Sequence, residues 1–189
     1  MLKIVGGKHR GRSIATPEGR TTRPTSNRAR ESLFNILTHA SWTGDGTSPL
    51  VDARVLDAFA GSGALGIEAL SRGAAHTTFL DSDPTAIKLI GENLRKLGET
   101  AAAKVIRADA MRPPPGREPC DLVFLDPPYR SGLAAPAVTA LAEAGWLKSG
   151  TTVTVELAND EDLIPPPGFE AIDERRYGAA KIVILRRSG

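Results

Sequence analysis

The hydrophobic positions of this chain recur with two different spacings that alternate along it. Short apolar runs read as strands at Arg54 to Ala58, Thr77 to Leu80, Lys104 to Arg107, Leu122 to Leu125 and Thr152 to Leu157. Between them lie helical spacings. Ala64 to Arg72 is closed by Gly73, Pro84 to Leu97 starts on an N1 proline and ends on Gly98, and Ala134 to Ala144 precedes the fifth strand. The segment MRPPPGREP before the fourth strand reads as a rigid loop. Phe169 to Tyr177 and Lys181 to Arg187 flank Gly178-Ala179 and predict an antiparallel final hairpin. Strand and helix in alternation imply an α/β fold whose mostly parallel sheet is covered on both faces, with ligands bound beyond the carboxyl ends of the strands.

Upstream, LKIVGG and RSIATP are separated by Gly6, Gly7 and Gly11 and predict a small β-hairpin. After Arg23-Pro24, the residues Thr25, Ser26 and Asn27 are N-cap candidates for a helix carried by Ala29, Leu33, Ile36, Leu37 and Ala40 and ending near His39. Ser41 to Pro49 reads as a linker.

Composition narrows the class. The 189 residues fit one domain, and no apolar run approaches the roughly 20 residues of a membrane span. The N-terminus MLKIVGGKHRGR lacks the apolar stretch of a secretory signal, so a soluble, cytoplasmic, monomeric protein is expected. Cys120 is the one cysteine, which excludes an intrachain disulfide. With only His9, His39 and His76 beside it, no metal site is expected, and Cys120 itself reads as an apolar residue. Trp42, Trp146 and Tyr177 read as packing residues.

The net charge of +2 divides unevenly. Residues 1–30 hold eight basic residues and one acid, Glu18, giving +7 and leaving −5 for the remainder. Lys8, His9, Arg10, Arg12, Arg20 and Arg23 are therefore candidate contacts to RNA, on a patterned segment rather than a low-complexity tail.

Three acids stand at successive strand tips. The first is Asp57, in Val55-Leu56-Asp57-Ala58-Phe59-Ala60-Gly61-Ser62-Gly63-Ala64-Leu65-Gly66, where Gly61, Gly63 and Gly66 fit the G-x-G-x-x-G of a nucleotide-type turn. Asp81 follows twenty residues after Gly61, placed for ribose hydroxyls. Asp57 would oppose the pyrophosphate of a dinucleotide but suits a cationic ligand without phosphate, which favours S-adenosylmethionine. Asp109 ends the third strand, where its carboxylate and the Ala110 amide could address an adenine.

The fourth strand runs into Asp126-Pro127-Pro128-Tyr129. Two prolines remove two amide donors and leave fixed acceptors, suited to holding an exocyclic amine by its hydrogens, while Tyr129 offers a stacking face. Asp126, Pro127 and Tyr129 are the catalytic candidates.

These motifs resemble the S-adenosylmethionine-dependent methyltransferases of Rossmann-like fold. DAFAGSG is similar to their first motif, Asp81 to their second, and DPPY to the tetrad of those that methylate exocyclic amines. GGKHRGR, the run from Gly19 to Thr25 and RESLFNIL at 30–37 are similar to the bacterial 16S ribosomal RNA guanine-N2 methyltransferase family, over nearly the whole chain. Asn27, where that family more often has Asp, and a longer linker before Val51 depart from it. The resemblance implies a mostly parallel seven-stranded sheet with an antiparallel C-terminal hairpin. It implies a basic hairpin arm at 1–24, a catalytic domain at 25–189, and transfer of a methyl group to N2 of guanine 966 in 16S RNA within a small-subunit particle. A DNA adenine-N6 or cytosine-N4 methyltransferase, a nicotinamide-dependent oxidoreductase and a non-catalytic ribosome-assembly factor stand as the other readings.

Overall fold

The computed structural model describes residues 1–17, 24–40, 42 and 48–189. An N-terminal pair of strands, β1 (Leu2–Lys3) and β2 (Ser13–Ile14), is antiparallel and holds a turn of 3-10 helix at Gly7–His9 between them. Helix α1 (Pro24–Thr38) leads into the body: β3 (Arg54–Ala58), α2 (Ala64–Ser71), β4 (His76–Asp81), α3 (Pro84–Leu97), β5 (Ala103–Arg107), β6 (Cys120–Leu125), α4 (Ala134–Glu143), β7 (Leu147–Ala158), β8 (Phe169–Tyr177) and β9 (Ala180–Arg187). The body strands form one sheet of order β5-β4-β3-β6-β7-β9-β8. Every pairing from β5 to β7 is parallel, and β9 runs antiparallel to both β7 and β8. The expected seven-stranded architecture and closing hairpin are present.

Alternation along the central strands divides the core between the two sheet faces. Leu122 and Phe124 of β6 pack with Phe34 and Leu37 of α1 and Ile182 and Ile184 of β9. Val123 and Leu125 point the other way, into a cluster with Ala137, Val138 and Leu141 of α4. Helix α3 shows how local signals fix an element. The Asp83 carboxylate accepts from the Thr85 N–H at 2.8 Å, Pro84 occupies the first turn, and Gly98 closes the helix at φ 79°.

Two boundaries differ from expectation. Helix α1 already includes Thr25, Ser26 and Asn27, because Pro24, with its fixed φ and no amide to satisfy, opens the helix ahead of them. Strand β7 begins at Leu147 instead of Thr152. A register shift at Cys120/Leu122 and the Thr151 hydroxyl, which donates to the Cys120 carbonyl at 2.7 Å, carry the pairing through Lys148-Ser149-Gly150. Of the expected linker, Ser41 and residues 43–47 lie outside the described residues.

The basic N-terminal segment is bound to the body through its backbone. Leu2, Ile4 and Ile14 are buried against Ile67 and Leu70 of α2, Phe79 of β4 and Ile90 and Leu94 of α3. Glu68 of α2, itself buried, accepts from the Val5 N–H at 2.8 Å and the Gly6 N–H at 2.7 Å, with Arg72 Nε donating to it at 2.9 Å. Asn93 of α3 accepts from Ala15 N at 2.8 Å and donates to Ala15 O and to Ser62 O. One amide side chain thus ties the exit of the hairpin to the turn before α2.

Trp146 is buried with its indole N–H on the Pro114 carbonyl, and Trp42 and Tyr177 pack beside the α1 cluster. Cys120 is buried, and burial pushes its thiol up to about 12, the behaviour of an apolar residue. Among the described residues, no helix is long and apolar enough to cross a membrane, and no cluster of His, Cys, Asp and Glu is placed to hold a metal ion.

Removing the Glu68 carboxylate strands two backbone donors and the Arg72 cation. Glu68→Ala should cost about 3 kcal/mol of folding stability. Urea denaturation of both proteins measures this, and a loss within about 0.5 kcal/mol would mean that the segment is not held through Glu68.

Candidate active site

The sheet order reverses at β3. The chain moves outward from β3 to β4 and β5, then returns to lay β6 along the other side of β3, which opens a crevice beyond the two adjacent strand tips. Ala58 pairs with Leu125 in that ladder. The next residue on one strand is Phe59, which turns the chain at φ 62°, and on the other it is Asp126. Pairing of two strands distant in sequence brings the glycine turn and the DPPY tetrad together.

The three glycines of the turn serve different needs. Gly61 has φ 56°, a left-handed backbone that a residue with a side chain rarely adopts, with the Phe59 carbonyl 4.0 Å from where a Cβ would lie. Gly63 caps α2 at φ 77°. A Cβ at Gly66 would lie 2.3 Å from the Phe79 ring, so its absence lets α2 settle on β4.

The strand-tip acids separate by burial. Asp57 is 1% exposed and lies behind the turn, where its Oδ2 accepts from the Gly66 N–H at 2.8 Å. Burial, opposed by that hydrogen bond and reinforced by the charge of Asp81, pushes its carboxyl up to about 8. Asp57 therefore meets the backbone of the turn rather than the open crevice. Asp81 is half-buried and accepts from Gly61 N at 2.8 Å and Asp83 N at 2.9 Å. Each carboxylate oxygen retains acceptor capacity for a hydroxyl. Asp109 is exposed beyond β5 and accepts from Met111 N, and Ala110 is buried beside it.

In the tetrad, Asp126 and Pro128 are exposed and Pro127 is buried. Tyr129 is half-buried, and its hydroxyl donates to Glu156 Oε1 of β7 at 2.7 Å. A cavity of about 200 Å³ opens next to Pro127, between residues 131–135 and the chain after β7, with Leu157, Leu163 and Ile164 on its apolar side. Arg130 bridges Asp160 across the two loops at 3.0 Å.

The cations of the N-terminal segment are not equally disposed. Arg10 is exposed. Arg12 donates through Nη2 to the Lys96 carbonyl at 2.7 Å. Lys8 pairs with Glu99 at 2.8 Å, and His9, 9% exposed, turns its Nε2 onto the same carboxylate. Burial raises the Glu99 carboxyl, but hydrogen bonds from Lys8 and His9 outweigh it and hold the group below its ordinary value. His9 is thus a docking residue of the hairpin, which corrects its reading as an outward RNA contact. Arg20 and Arg23 lie outside the described residues.

The family described as "Conserved hypothetical protein 95" matches residues 2–186. The chain belongs to that family. It is similar to the ribosomal RNA small subunit methyltransferase D of Escherichia coli K12, with 39% identity over 88% of this chain and 79% of that protein. The Haemophilus influenzae protein of the same name is 36% identical over 94% of this chain and 89% of its own length. A solved structure of Escherichia coli yhhF, described as a candidate methyltransferase, superposes with a TM-score of 0.82 at 35% identity, covering 99% of this chain and 98% of that one. The fold of this family member is Rossmann-like, of the methyltransferase kind.

Three residues that shape the site escaped the motif reading. Glu68 and Asn93 hold the hairpin, and Glu156 holds Tyr129. Each carries a faint signal, a charged or amide group set among apolar residues, as in LGIEALS and TVTVELA.

The raised Asp57 carboxyl has a consequence for stability. Below its ordinary value of 3.8 the group is protonated in both folded and unfolded chains. Between there and about 8 only the folded chain holds the proton, so stability falls as pH rises through that window. Asp57→Asn keeps an acceptor for Gly66 without the ionisation. Its stability relative to the wild type should grow from about pH 5 to about pH 8 in urea titrations, and a constant difference would contradict a buried, proton-holding Asp57.

Proposed function

We propose that this protein is an S-adenosylmethionine-dependent ribosomal RNA methyltransferase that methylates the exocyclic N2 of a guanine, guanine 966, in 16S RNA of the small ribosomal subunit. The observation that carries the reading is the meeting of the glycine turn and the DPPY tetrad at the adjoining tips of β3 and β6. The names of the E. coli and H. influenzae relatives support the ribosomal RNA substrate. Residues 1–24 act as the RNA-positioning arm and residues 25–189 as the catalytic domain, working as a monomer in the cytoplasm.

The residues of the crevice fit the methyl donor. Gly61 keeps the turn free of side chain, and Asp81 and Asp109 present acceptors to a nucleoside's hydroxyls and amine. The Ala110 backbone lies beside the latter. Gly61 and Gly63 shape the cradle, and Asp57 acts from behind by holding the Gly66 amide. When bound, S-adenosylmethionine supplies a methyl group on a sulfonium, which leaves with the bonding electron pair.

The chain's own groups act on the nucleophile. The guanine amine is weak because its lone pair is delocalised into the ring. Asp126 and the Pro127 carbonyl accept its two hydrogens, which favours a pyramidal nitrogen and aims the lone pair at the methyl carbon. Tyr129 stacks on the base after it has left its RNA context. Positioning two substrates, rather than a strong base, supplies most of the acceleration. After the N–C bond forms, the excess proton passes from nitrogen to Asp126 or water.

Incubation with labelled S-adenosylmethionine and small-subunit particles lacking the modification, followed by nucleoside analysis, tests the reading. N2-methylguanosine is expected. Methyladenosine, transfer to DNA or no transfer would each select another reading. Asp126→Ala should lower transfer by about 100-fold while leaving cofactor affinity unchanged in calorimetry. Arg10, an exposed cation of the arm, offers a second measurement. Arg10→Glu should weaken RNA binding and flatten its salt dependence by about one ion, and an unchanged slope would remove the arm from the RNA interface.

A further inference from the structure

The acid at the tip of β7 has no part in the chemistry described so far, yet it lies level with the tetrad. Val155 pairs with Leu125, so the next residue, Glu156, stands beside Asp126. The Glu156 carboxylate accepts from the Tyr129 hydroxyl at 2.7 Å. The Tyr129 ring packs against the apolar cluster of α1, β6 and β9. With one edge packed and its hydroxyl held, both side-chain torsions of Tyr129 are fixed before any base arrives. A hydrogen bond from a phenol to a carboxylate in a half-buried place is among the stronger kinds.

A buried cation faces this acid. Arg30 of α1 is 6% exposed, and burial lowers its guanidinium from the ordinary value while the charges of Glu68 and Glu156 oppose that shift. Its Nη2 donates to the Lys3 carbonyl in β1 at 2.8 Å. The same electrostatic pairing appears from the other side. Burial raises the Glu156 carboxyl, while the Tyr129 hydrogen bond and the Arg30 charge restrain the rise. Arg30 thereby ties α1 to the N-terminal hairpin.

We propose that Glu156 is a positioning residue for methyl transfer, which holds Tyr129 as a preset stacking face for the target base. The proposal rests on the reading of DPPY as the methyl-transfer tetrad. Glu156 touches neither substrate. It acts through Tyr129, and its effect lies in the orientation of a base that a freely turning ring would receive in many poses.

The test measures methyl transfer to small-subunit particles by wild type, Glu156→Ala, Glu156→Gln, Tyr129→Phe and the Glu156→Ala/Tyr129→Phe double variant, with cofactor affinity by calorimetry. Glu156→Ala should lower kcat by about tenfold or more with cofactor affinity unchanged. Glu156→Gln should remain within about threefold of wild type, because its amide oxygen still accepts from the phenol. Tyr129→Phe should reproduce the loss, and the double variant should be no worse than either single one, the mark of a shared interaction. Wild-type rates in Glu156→Ala, equal impairment in Glu156→Gln, or additive losses would overturn the proposal. If Glu156→Ala does not fold, Tyr129→Phe and Glu156→Gln decide it, and a Tyr129→Phe enzyme at full rate would overturn it. Absence of transfer by the wild type would instead overturn the functional reading.

Discussion

The parallel pairing of β3 with β6 sets the frame on which the site depends. Ala58 and Leu125 are adjacent in that ladder although the chain between them builds two helices and two further strands. Parallel pairing requires a crossover, and each crossover returns the chain so that the strand tips end together. The glycine turn and the tetrad could not meet if β6 were shifted by one residue. Such a slip would also send Leu122 and Phe124 to the α4 face and Val123 and Leu125 to the α1 face, against both packed clusters. The separate packing of the two faces of β6 therefore fixes the register, and the register brings the turn and the tetrad together.

Helix α2 links this site to the basic segment. It starts directly after the glycine turn, and farther along it carries Glu68, which accepts from Val5 and Gly6, and Ser71, which accepts from the His9 amide, while Arg72 just past its end donates to Glu68. Charge counting along the sequence offers Lys8, His9, Arg10, Arg12, Arg20 and Arg23 to a partner, but the fold engages some of them internally. Lys8 and His9 share Glu99, and Arg12 caps a carbonyl of α3. In the proposed RNA-positioning role the surplus on offer is smaller than +7, and it sits on a segment whose backbone is held to the body. An ordered arm loses less conformational entropy on binding than a tail would.

Elements were legible where a period or a cap dictated them. Pro84 and Gly98 bound α3, and the continuous apolar runs of β6 and β9 marked their burial. Boundaries were less legible where local signals competed, as at Pro24 against the three polar residues after it, or where a tertiary bond extended a strand, as the Thr151 hydroxyl does for β7. The chemistry-bearing motifs at 57–66 and 126–129 could be read because their residues are contiguous. Glu68, Asn93 and Glu156 could not, because what each does is defined by partners 27 to 78 positions away. His9 shows the converse error, since a basic side chain in a basic segment gives no sign that an acid ninety residues later will bury it.

Burial divides the work among the acids at the strand tips. Asp57 is buried and Glu156 half-buried, and both have carboxyls raised by burial, opposed by the hydrogen bonds they make to the Gly66 amide and the Tyr129 hydroxyl. Asp109 and Asp126 are exposed, and Asp81 lies between, its oxygens already steered by Gly61 and Asp83. The first pair holds a backbone turn and an aromatic ring. A weak nucleophile such as an aromatic amine gains little from a stronger base but much from exact aim, because misplacement by about 1 Å costs about a hundredfold in rate. In the proposed reaction that aim would come from acids placed behind the turn and the ring, because acids at the surface would lose both partners to solvent.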